Sequence, residues 1–330
     1  MIVILEPGTD KTTYRTFGSL ENIEALAFNL RFGGNSFGQP VRITEEFIAK
    51  LSQMAEAFPL YIPSTCKTLR YFMSNFKDIP QFAFFQTAFF LGLPEKEKHY
   101  PVAGEYFSAK EIVKWGYDGI YHGANSEIAG GNGKTISVVL NRRTTVCAID
   151  NGKPVAVSLG FTPLEGIMST RSCGDIDPGI VIYLMKELGY SIYKLDEILK
   201  NESGFYGMTG YDTPPDELLK LYGKSDKVTL AFDVYINQIT RYIGDYIALL
   251  EGFDTVVFSG KNVKAMGQII FELAKKMSFM GISLTEMPWN TDVESLCITS
   301  INSKRHFRIN MLEESEIIYR KTQKLVKCRL

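Results

Sequence analysis

The sequence has few cysteines, no long apolar run and almost no net charge. Its five cysteines are scattered, odd in number and without a CxxC pair, which argues against a disulfide framework and against a zinc site. No segment approaches the ~18 apolar residues of a membrane span, and the first residues lack a secretory leader pattern. We therefore expect a cytoplasmic protein that does not associate with a membrane.

An excess of positive charge is also missing. The chain has 36 basic and 37 acidic residues, for a formal net charge of -1. No chain-wide field attracts it to nucleic acid, and we expect no nucleic-acid partner. What is present is an ordinary globular composition, with 45% hydrophobic residues in a chain of 330. That length allows one large domain or two medium ones.

Apolar periodicity predicts an α/β protein, because predicted strands and helices alternate along the chain. RITEEFIAKLSQMAEAF (42–58) predicts a helix with Thr44 as its N-cap. PQFAFFQTAFF (80–90) predicts a buried strand, and residues 134–159 predict an antiparallel meander with a hairpin at DNGK. A long buried helix is predicted at 229–251, followed by the strand VVFSG.

The polar, turn-rich stretch GFTPLEGIMSTRSCGDIDP (160–178) interrupts this pattern. It closely resembles the signature of the acetate kinase family of carboxylate phosphotransferases. Other segments resemble blocks of that family in the same order: RFGGNSFGQPVRITEEF (31–47), FFQTAFF with LPEKEKHYPV (84–102), KWGYDGIYH (114–122), SGFYGMTG (203–210) and RYIGDYIALLEGFDTVVFSG (241–260). The resemblance covers nearly the whole chain.

The resemblance implies two ribonuclease-H-like α/β domains facing across a cleft, as in actin, sugar kinases and the Hsp70 ATPase domain. We place the first domain at 1–100 plus 312–330, with the last helix returning to it, and the second at 101–311. Family members have a longer segment before the block at 31–47, so we expect a reduced first domain. The implied ligands are ATP, Mg²⁺ and a small carboxylate, and family members commonly form homodimers.

The resemblance also implies site residues. Arg171 matches the arginine that stabilises charge on the transferred phosphoryl group, in a motif that is one residue longer here. Gln86 stands where the family has a catalytic aspartate. Glu313 and Glu314 are candidates for the magnesium-associated glutamate, although a helix dipole alone would favour acids at this helix start. The candidate nucleotide-binding residues are Gly210, Gly260 and Lys261.

Several other positions depart from the family pattern. Tyr61 and Asp118 stand in place of histidines, and Asn29 falls near the position of a substrate-contacting arginine, although Arg31 is close to that position too. VLNRR (139–143) replaces a glycine-rich turn, and KNVKA (261–265) replaces GIGEN. Glycines that permit close backbone approach have become bulky, and charged or hydrogen-bonding groups have become neutral or opposite in sign.

Two hypotheses about function follow from this combination of retained and altered family positions. The chain is either a divergent ATP-dependent phosphotransferase acting on a small carboxylate, or a catalytically inactive relative that binds a ligand or a partner. Arg171 is accordingly either an anion-binding arginine or one member of an ion pair with Asp175 or Asp177. His122 is either a phosphate donor or, as we favour, a histidine of the core.

Overall fold

A computed structural model describes residues 1–8, 11–19, 22–56, 61–102, 104, 112–285, 293–300 and 302–328. The chain divides into two compact units. The first contains Met1–Gly92, Pro101–Ala124 and Leu312–Leu330, and the second contains Leu93–Tyr100 and Asn125–Met311. Both units contain strands and helices, so the predicted α/β class is confirmed.

The first unit is built on a five-stranded mixed sheet of order β2-β1-β3-β5-β4. Its strands are β1 (Ile2–Pro7), β2 (Thr12–Phe17), β3 (Ala25–Leu30), β4 (Val41–Arg42) and β5 (Gln81–Phe85). β1, β3 and β5 run parallel, whereas β2 and β4 are antiparallel edge strands. β3 and β5 are buried at every position, as expected for central parallel strands.

The helices of the first unit cover this sheet. They are α1 (Glu45–Ser52), α2 (Ile62–Asn75), the first part of α4 (Gly119–Ile128), and α11 (Glu314–Lys327), which packs on β1 and β3. The predicted cap is confirmed, since Thr44 accepts a hydrogen bond from Phe47 N at 3.1 Å. Residues 57 and 58 of that predicted helix lie outside the described residues.

The prediction of one strand over 80–90 is wrong in its second half. β5 ends at Phe85, and Ala88–Gly92 forms a short 3₁₀ helix. The Gln86 carbonyl accepts the N–H of Gly119 at 2.9 Å, so the chain leaves the sheet there.

The second unit contains a six-stranded sheet of order β10-β11-β9-β6-β7-β8. Its strands are β6 (Lys134–Leu140), β7 (Thr144–Asp150), β8 (Lys153–Val157), β9 (Thr255–Ser259), β10 (Ser295–Cys297) and β11 (His306–Asn310). β6, β7 and β8 form the predicted antiparallel meander, and β6 runs parallel to β9, which runs parallel to β11.

The long helix α9 (Asp226–Leu249) forms the centre of this unit's core. Its buried face includes Phe232, Tyr235, Ile236 and Ile239, and it packs on β6 and β7. The predicted long buried helix is confirmed.

The remaining helices of the second unit are α3 (Glu95–Lys98), α5 (Pro178–Glu187), α6 (Ile192–Asn201), α7 (Gly204–Thr209), α8 (Pro215–Leu218) and α10 (Gly267–Lys276). Short 3₁₀ helices occur at Gln53–Glu56 in the first unit and at Leu219–Leu221 and Ser278–Met280 in the second.

The two sheets differ in one respect. In the second sheet two antiparallel strands, β7 and β8, follow on one side of β6, and the parallel strands β9 and β11 lie on the other side, with the antiparallel β10 beyond them. In the described part of the first sheet, only β2 lies beyond β1. The described part of the first sheet thus has five strands, one fewer than the second. No helix in the described ranges is long and apolar enough to cross a membrane.

Candidate functional site

Three polar residues that the sequence analysis singled out contact one another inside the first unit. Asn29 Nδ2 donates to Glu314 Oε2 at 2.7 Å, and Gln86 Nε2 donates to Asn29 Oδ1 at 2.7 Å. The three side chains are only 7 to 9% exposed. We call Asn29, Gln86 and Glu314 the amide–carboxyl cluster. It links two neighbouring strands to the last helix.

Backbone hydrogen bonds fix Gln86 at the end of β5. Its N–H donates to Leu30 O at 2.9 Å, while its carbonyl accepts from Gly119 N. A Cβ on Gly119 would lie 2.4 Å from the Gln86 carbonyl oxygen, which no real Cβ contact allows. Glycine is therefore required at 119 for the chain to pass so close to the cluster.

Glu314 lies in the first turn of α11. Its backbone N–H donates to the Tyr121 hydroxyl at 3.1 Å. Burial raises the pKa of Glu314 to about 7, and the negative charge of Asp118 adds to that rise, while the nearby side-chain amides of Gln86 and Asn29 oppose it. The carboxyl group is thus held near the balance between its neutral and charged forms at physiological pH.

The adjacent acid points elsewhere. Glu313 precedes α11 and forms an ion pair with Arg15 of β2, and both side chains are about half exposed. Of the two candidate magnesium ligands, only Glu314 therefore joins the cluster. Sequence reasoning could not separate them because both satisfy the helix dipole equally well.

Two other positions where the family has histidines can be described. His122 is fully buried with its ring 5.7 Å from that of Phe90, and burial lowers its pKa to about 3. It is therefore neutral and belongs to the core, as we favoured. Asp118 lies before α4 in the left-handed region, with φ of 59°.

Tyr61, which also stands in place of a family histidine, contacts the segment that follows β3. Its hydroxyl accepts the backbone N–H of Arg31 at 2.6 Å, and the Arg31 guanidinium carbon lies 5.9 Å from its ring centroid. Burial raises the pKa of Tyr61. The tyrosine thus anchors the segment that follows β3.

In the second unit, Arg171 is held on several sides. Its Nε lies 3.1 Å from Asp212 Oδ1 and its Nη2 lies 2.5 Å from Asp212 Oδ2, a two-point ion pair. Its Nη1 donates to the carbonyl of Asn201 at 3.0 Å. The guanidinium carbon lies 4.4 Å from the Tyr206 ring centroid, a cation–π distance.

The expectation that Asp175 or Asp177 pairs with Arg171 is wrong. Asp175 accepts from Gly166 N at 2.7 Å and from the Tyr242 hydroxyl. Asp177 is the N-cap of α5 and accepts from Gly179 N at 2.8 Å. Both acids stabilise their own loop, and Asp212 takes the arginine.

The three candidate nucleotide-binding residues lie in two places. Gly210 ends α7 with φ of 77°, two residues before Asp212. Gly260 ends β9 with φ of 111°, and a Cβ there would lie 2.5 Å from Leu140 O. Lys261 donates its backbone N–H to Asn141 Oδ1 at 2.9 Å. These contacts tie the segment after β9 to the β6–β7 turn.

A small cavity of about 10 Å³ opens beside that turn, room for about one water molecule. Its lining includes Asn141, Arg142, Pro215, Tyr235, Asn262 and Met266. Tyr235 and Thr144, both buried, hydrogen-bond through their hydroxyls at 2.5 Å.

An exposed apolar surface lies on the same unit. Helix α5 has no buried residue, although most of its residues are apolar. The large hydrophobic side chains exposed over 176–193, which we call the 176–193 surface, are Ile176, Ile180, Ile182, Tyr183, Met185, Leu188, Tyr190, Ile192 and Tyr193. Soluble monomers seldom expose so many in one segment, and such patches mark interaction sites.

Sequence reasoning missed three parts of this picture. It did not identify Asp212 as the partner of Arg171, Tyr121 as the partner of Glu314, or Asn29 as the residue that joins Gln86 to Glu314. These partners lie 41, 193 and 285 residues apart in the chain. No local spacing pattern reports such contacts.

Comparisons with known proteins agree with this fold. A model of the acetokinase family matches residues 10–320. Acetate kinase 2 of Vibrio vulnificus (strain YJ016) is 34% identical over 272 residues, covering 80% of this chain and 68% of that protein. The acetate kinase of Halothermothrix orenii is 30% identical over 325 residues, covering 95% of this chain and 81% of that protein.

Solved structures give the same result. The crystal structure of Porphyromonas gingivalis acetate kinase matches with a TM-score of 0.86 and 28% identity, over 93% of this chain and 79% of that one. Acetate kinase from Entamoeba histolytica matches with a TM-score of 0.88 over 98% of each chain, and at 22% identity it supports the fold alone.

The fold is therefore that of the actin-like ATPases, with two α/β units on mixed sheets. More narrowly, the chain belongs to the acetokinase family, a family of carboxylate phosphotransferases.

Proposed function

We propose that this chain is a binding member of the acetokinase family that has lost rapid phosphoryl transfer. The single observation that carries the proposal is the state of Arg171, whose guanidinium group is already held by Asp212, Asn201 and Tyr206. An arginine that neutralises a transferring phosphoryl group must present its donors to that group. Here Asp212 takes two of them and cancels the charge.

The first unit supports the same proposal. Where the resemblance implies an arginine and an aspartate, Asn29 and Gln86 form a neutral pair of amides. Phosphoryl transfer depends mainly on charge placement, and removing one stabilising group costs ~10² to 10³ in rate. Losing several such groups lowers the rate by the product of these factors when they act independently.

What the protein binds follows from the remaining features. The 176–193 surface favours a protein partner, and we propose a second copy of the chain, paired through the same surface on both copies. All five cysteines are free thiols, which fits action in the reducing cytoplasm.

One observation favours a second candidate. Arg171 is retained within a signature that otherwise resembles the family closely, so a slow carboxylate kinase using ATP and Mg²⁺ could operate if Asp212 released it. The relatives matched above are named acetate kinases, and acetate is the first carboxylate to test on this chain.

The deciding experiment is formation of an acyl phosphate, trapped as its hydroxamate, from Mg-ATP and a panel of short carboxylates. Four purified proteins are compared: the wild type, Arg171→Ala, Asp212→Asn, and Arg70→Ala as an exposed-arginine control. We expect no signal above the Arg171→Ala background in the wild type or in Arg70→Ala.

Wild-type turnover that disappears only in Arg171→Ala would overturn the proposal and establish the kinase. Turnover that appears only in Asp212→Asn would also support the proposal, because it would show that the ion pair with Asp212 prevents Arg171 from acting in catalysis. Folding of every variant is checked by circular dichroism beforehand.

A further inference from the structure

The amide–carboxyl cluster contains two buried acceptor atoms without donors. In the described part of the first unit, neither Oε1 of Glu314 nor Oε1 of Gln86 receives a hydrogen bond. An unpaired buried acceptor costs free energy, so each calls for a hydrogen or a cation. The acetokinase family implies a cation here, namely Mg²⁺ bound to a glutamate of the last helix.

The donor set at this position fits Mg²⁺ poorly. Mg²⁺ requires near-octahedral oxygen ligands and usually takes one or two carboxylates together with substrate phosphates. The cluster offers one carboxylate, and Asn29 Nδ2 already occupies its Oε2 at 2.7 Å. No group of three or more His, Cys, Asp or Glu side chains suited to a metal occurs within the described ranges.

The orientation of the amides explains the misfit. Gln86 Nε2 donates to Asn29 Oδ1, and this bond leaves Asn29 Nδ2 facing Glu314. A donor N–H directed at a carboxylate occupies space that a cation would need, and repels it. The chain Gln86 to Asn29 to Glu314 therefore occupies one carboxylate oxygen with a hydrogen that a metal would have to displace.

We propose that the amide–carboxyl cluster does not bind Mg²⁺, because Asn29 directs an N–H donor at Glu314 and Gln86 replaces a carboxylate with a neutral amide. The inference deepens the proposed function and rests on it in part, because a kinase of this family would need the ion. In this proposal, the neutral amides of Asn29 and Gln86 occupy the positions that a charged residue and a metal ion would otherwise take.

Restoring a second carboxylate should therefore restore metal binding. Gln86→Asp removes the amide that orients Asn29 and places a second negative oxygen beside Glu314. We expect the wild type to show no saturable binding that depends on Glu314, and Gln86→Asp to bind at least tenfold more tightly. Glu314→Gln added to Gln86→Asp should abolish the gain.

The probe is Mn²⁺, followed through loss of its free-ion electron paramagnetic resonance signal, with MgCl₂ as competitor. Should Gln86→Asp fail to fold, the wild type and Glu314→Gln remain informative, because the inference predicts identical Mn²⁺ binding by the two. Glu316→Gln, a half-buried acid on the same helix that pairs with Arg320, is the control for removal of a carboxylate from α11.

Mn²⁺ binding by the wild type that competes with Mg²⁺ and is lost in Glu314→Gln would overturn the inference. This readout is independent of turnover. A wild type that binds the metal at Glu314 yet forms no acyl phosphate contradicts the inference alone. Turnover without a Glu314-dependent metal site contradicts the proposed loss of catalysis alone.

Discussion

Asn29 donates its side-chain amide to Glu314 at 2.7 Å, although 285 residues separate the two in the chain. This bond joins β3 to the first turn of α11 inside the first unit. Because both groups are buried, the bond holds Glu314 in position and opposes the rise that burial causes in its pKa. It therefore provides tests of stability that do not depend on any ligand.

The first prediction concerns pH. The folded-state pKa of Glu314 is about 7, above its ordinary value of 4.5, so the folded chain holds this proton more tightly than the unfolded chain. Its contribution to stability is fully present below about 4.5 and is lost as the pH rises through about 7. The loss is on the order of 3 kcal/mol.

The measurement is the free energy of unfolding in urea at pH 5 and at pH 8, and the difference between the two values. The wild type should lose more stability between the two values than Glu314→Gln, which has no proton to release. The charged groups that raise the pKa, Asp118 and Glu6, remain in both proteins. Equal losses would show that Glu314 does not titrate in this range.

The second prediction concerns the amide donor. Asn29→Ala leaves Glu314 Oε2 and Gln86 Nε2 without their partner, and should destabilise the fold by about 1–3 kcal/mol. Asn75→Ala is the control, since Asn75 is exposed at the end of α2 and bonds only locally, and it should stay within about 0.5 kcal/mol. Equal effects in urea titrations would contradict a special role for the buried amide.

The third prediction compares two glycines of α4. Gly119→Ala would place Cβ 2.4 Å from the Gln86 carbonyl, so the backbone must shift, at a cost of about 1–3 kcal/mol. Gly123→Ala meets its nearest atom, in Phe89, at an ordinary 3.5 Å, and should be neutral or stabilising by up to about 1 kcal/mol. Thermal melts of both variants decide the point, and a tolerated Gly119→Ala would refute the tight approach.

The fourth prediction tests the 176–193 surface. Light scattering after size exclusion should give twice the monomer mass of 37.2 kDa for the wild type, and the monomer mass for Tyr183→Glu. Tyr183 is 59% exposed and central to the patch. Phe279→Glu, at a residue that is 78% exposed outside the patch, should leave the mass unchanged. A monomeric wild type would contradict pairing through this surface.

Local features were the most accessible from sequence. The Thr44 cap, the meander at 134–159 and the long helix depend on short-range spacing, and the structure confirms all three. The fold family followed from a long collinear resemblance. The strand over 80–90 was wrong beyond Phe85, because the hydrogen bond from Gly119 that ends it comes from a distant segment.

The arrangement of the site was much less accessible. Asp175, Asp177 and Asp212 have the same chemistry, and only the three-dimensional path of the chain selects Asp212 for Arg171. Glu313 and Glu314 are adjacent and chemically alike, yet the turn of α11 points one to Arg15 and the other into the core. Such choices depend on tertiary geometry that a single sequence does not encode in any short pattern.

The return of α11 to the first sheet also bears on how the protein is made. β1 and β3 lie within the first 30 residues, but the helix that packs on them begins at residue 314. During synthesis the second unit's residues all leave the ribosome before the first unit can be completed. Contacts of such long sequence separation form slowly, and the buried strands β1 and β3 stay partly uncovered until then. Nascent chains lacking the last helix should therefore be the species that chaperones retain.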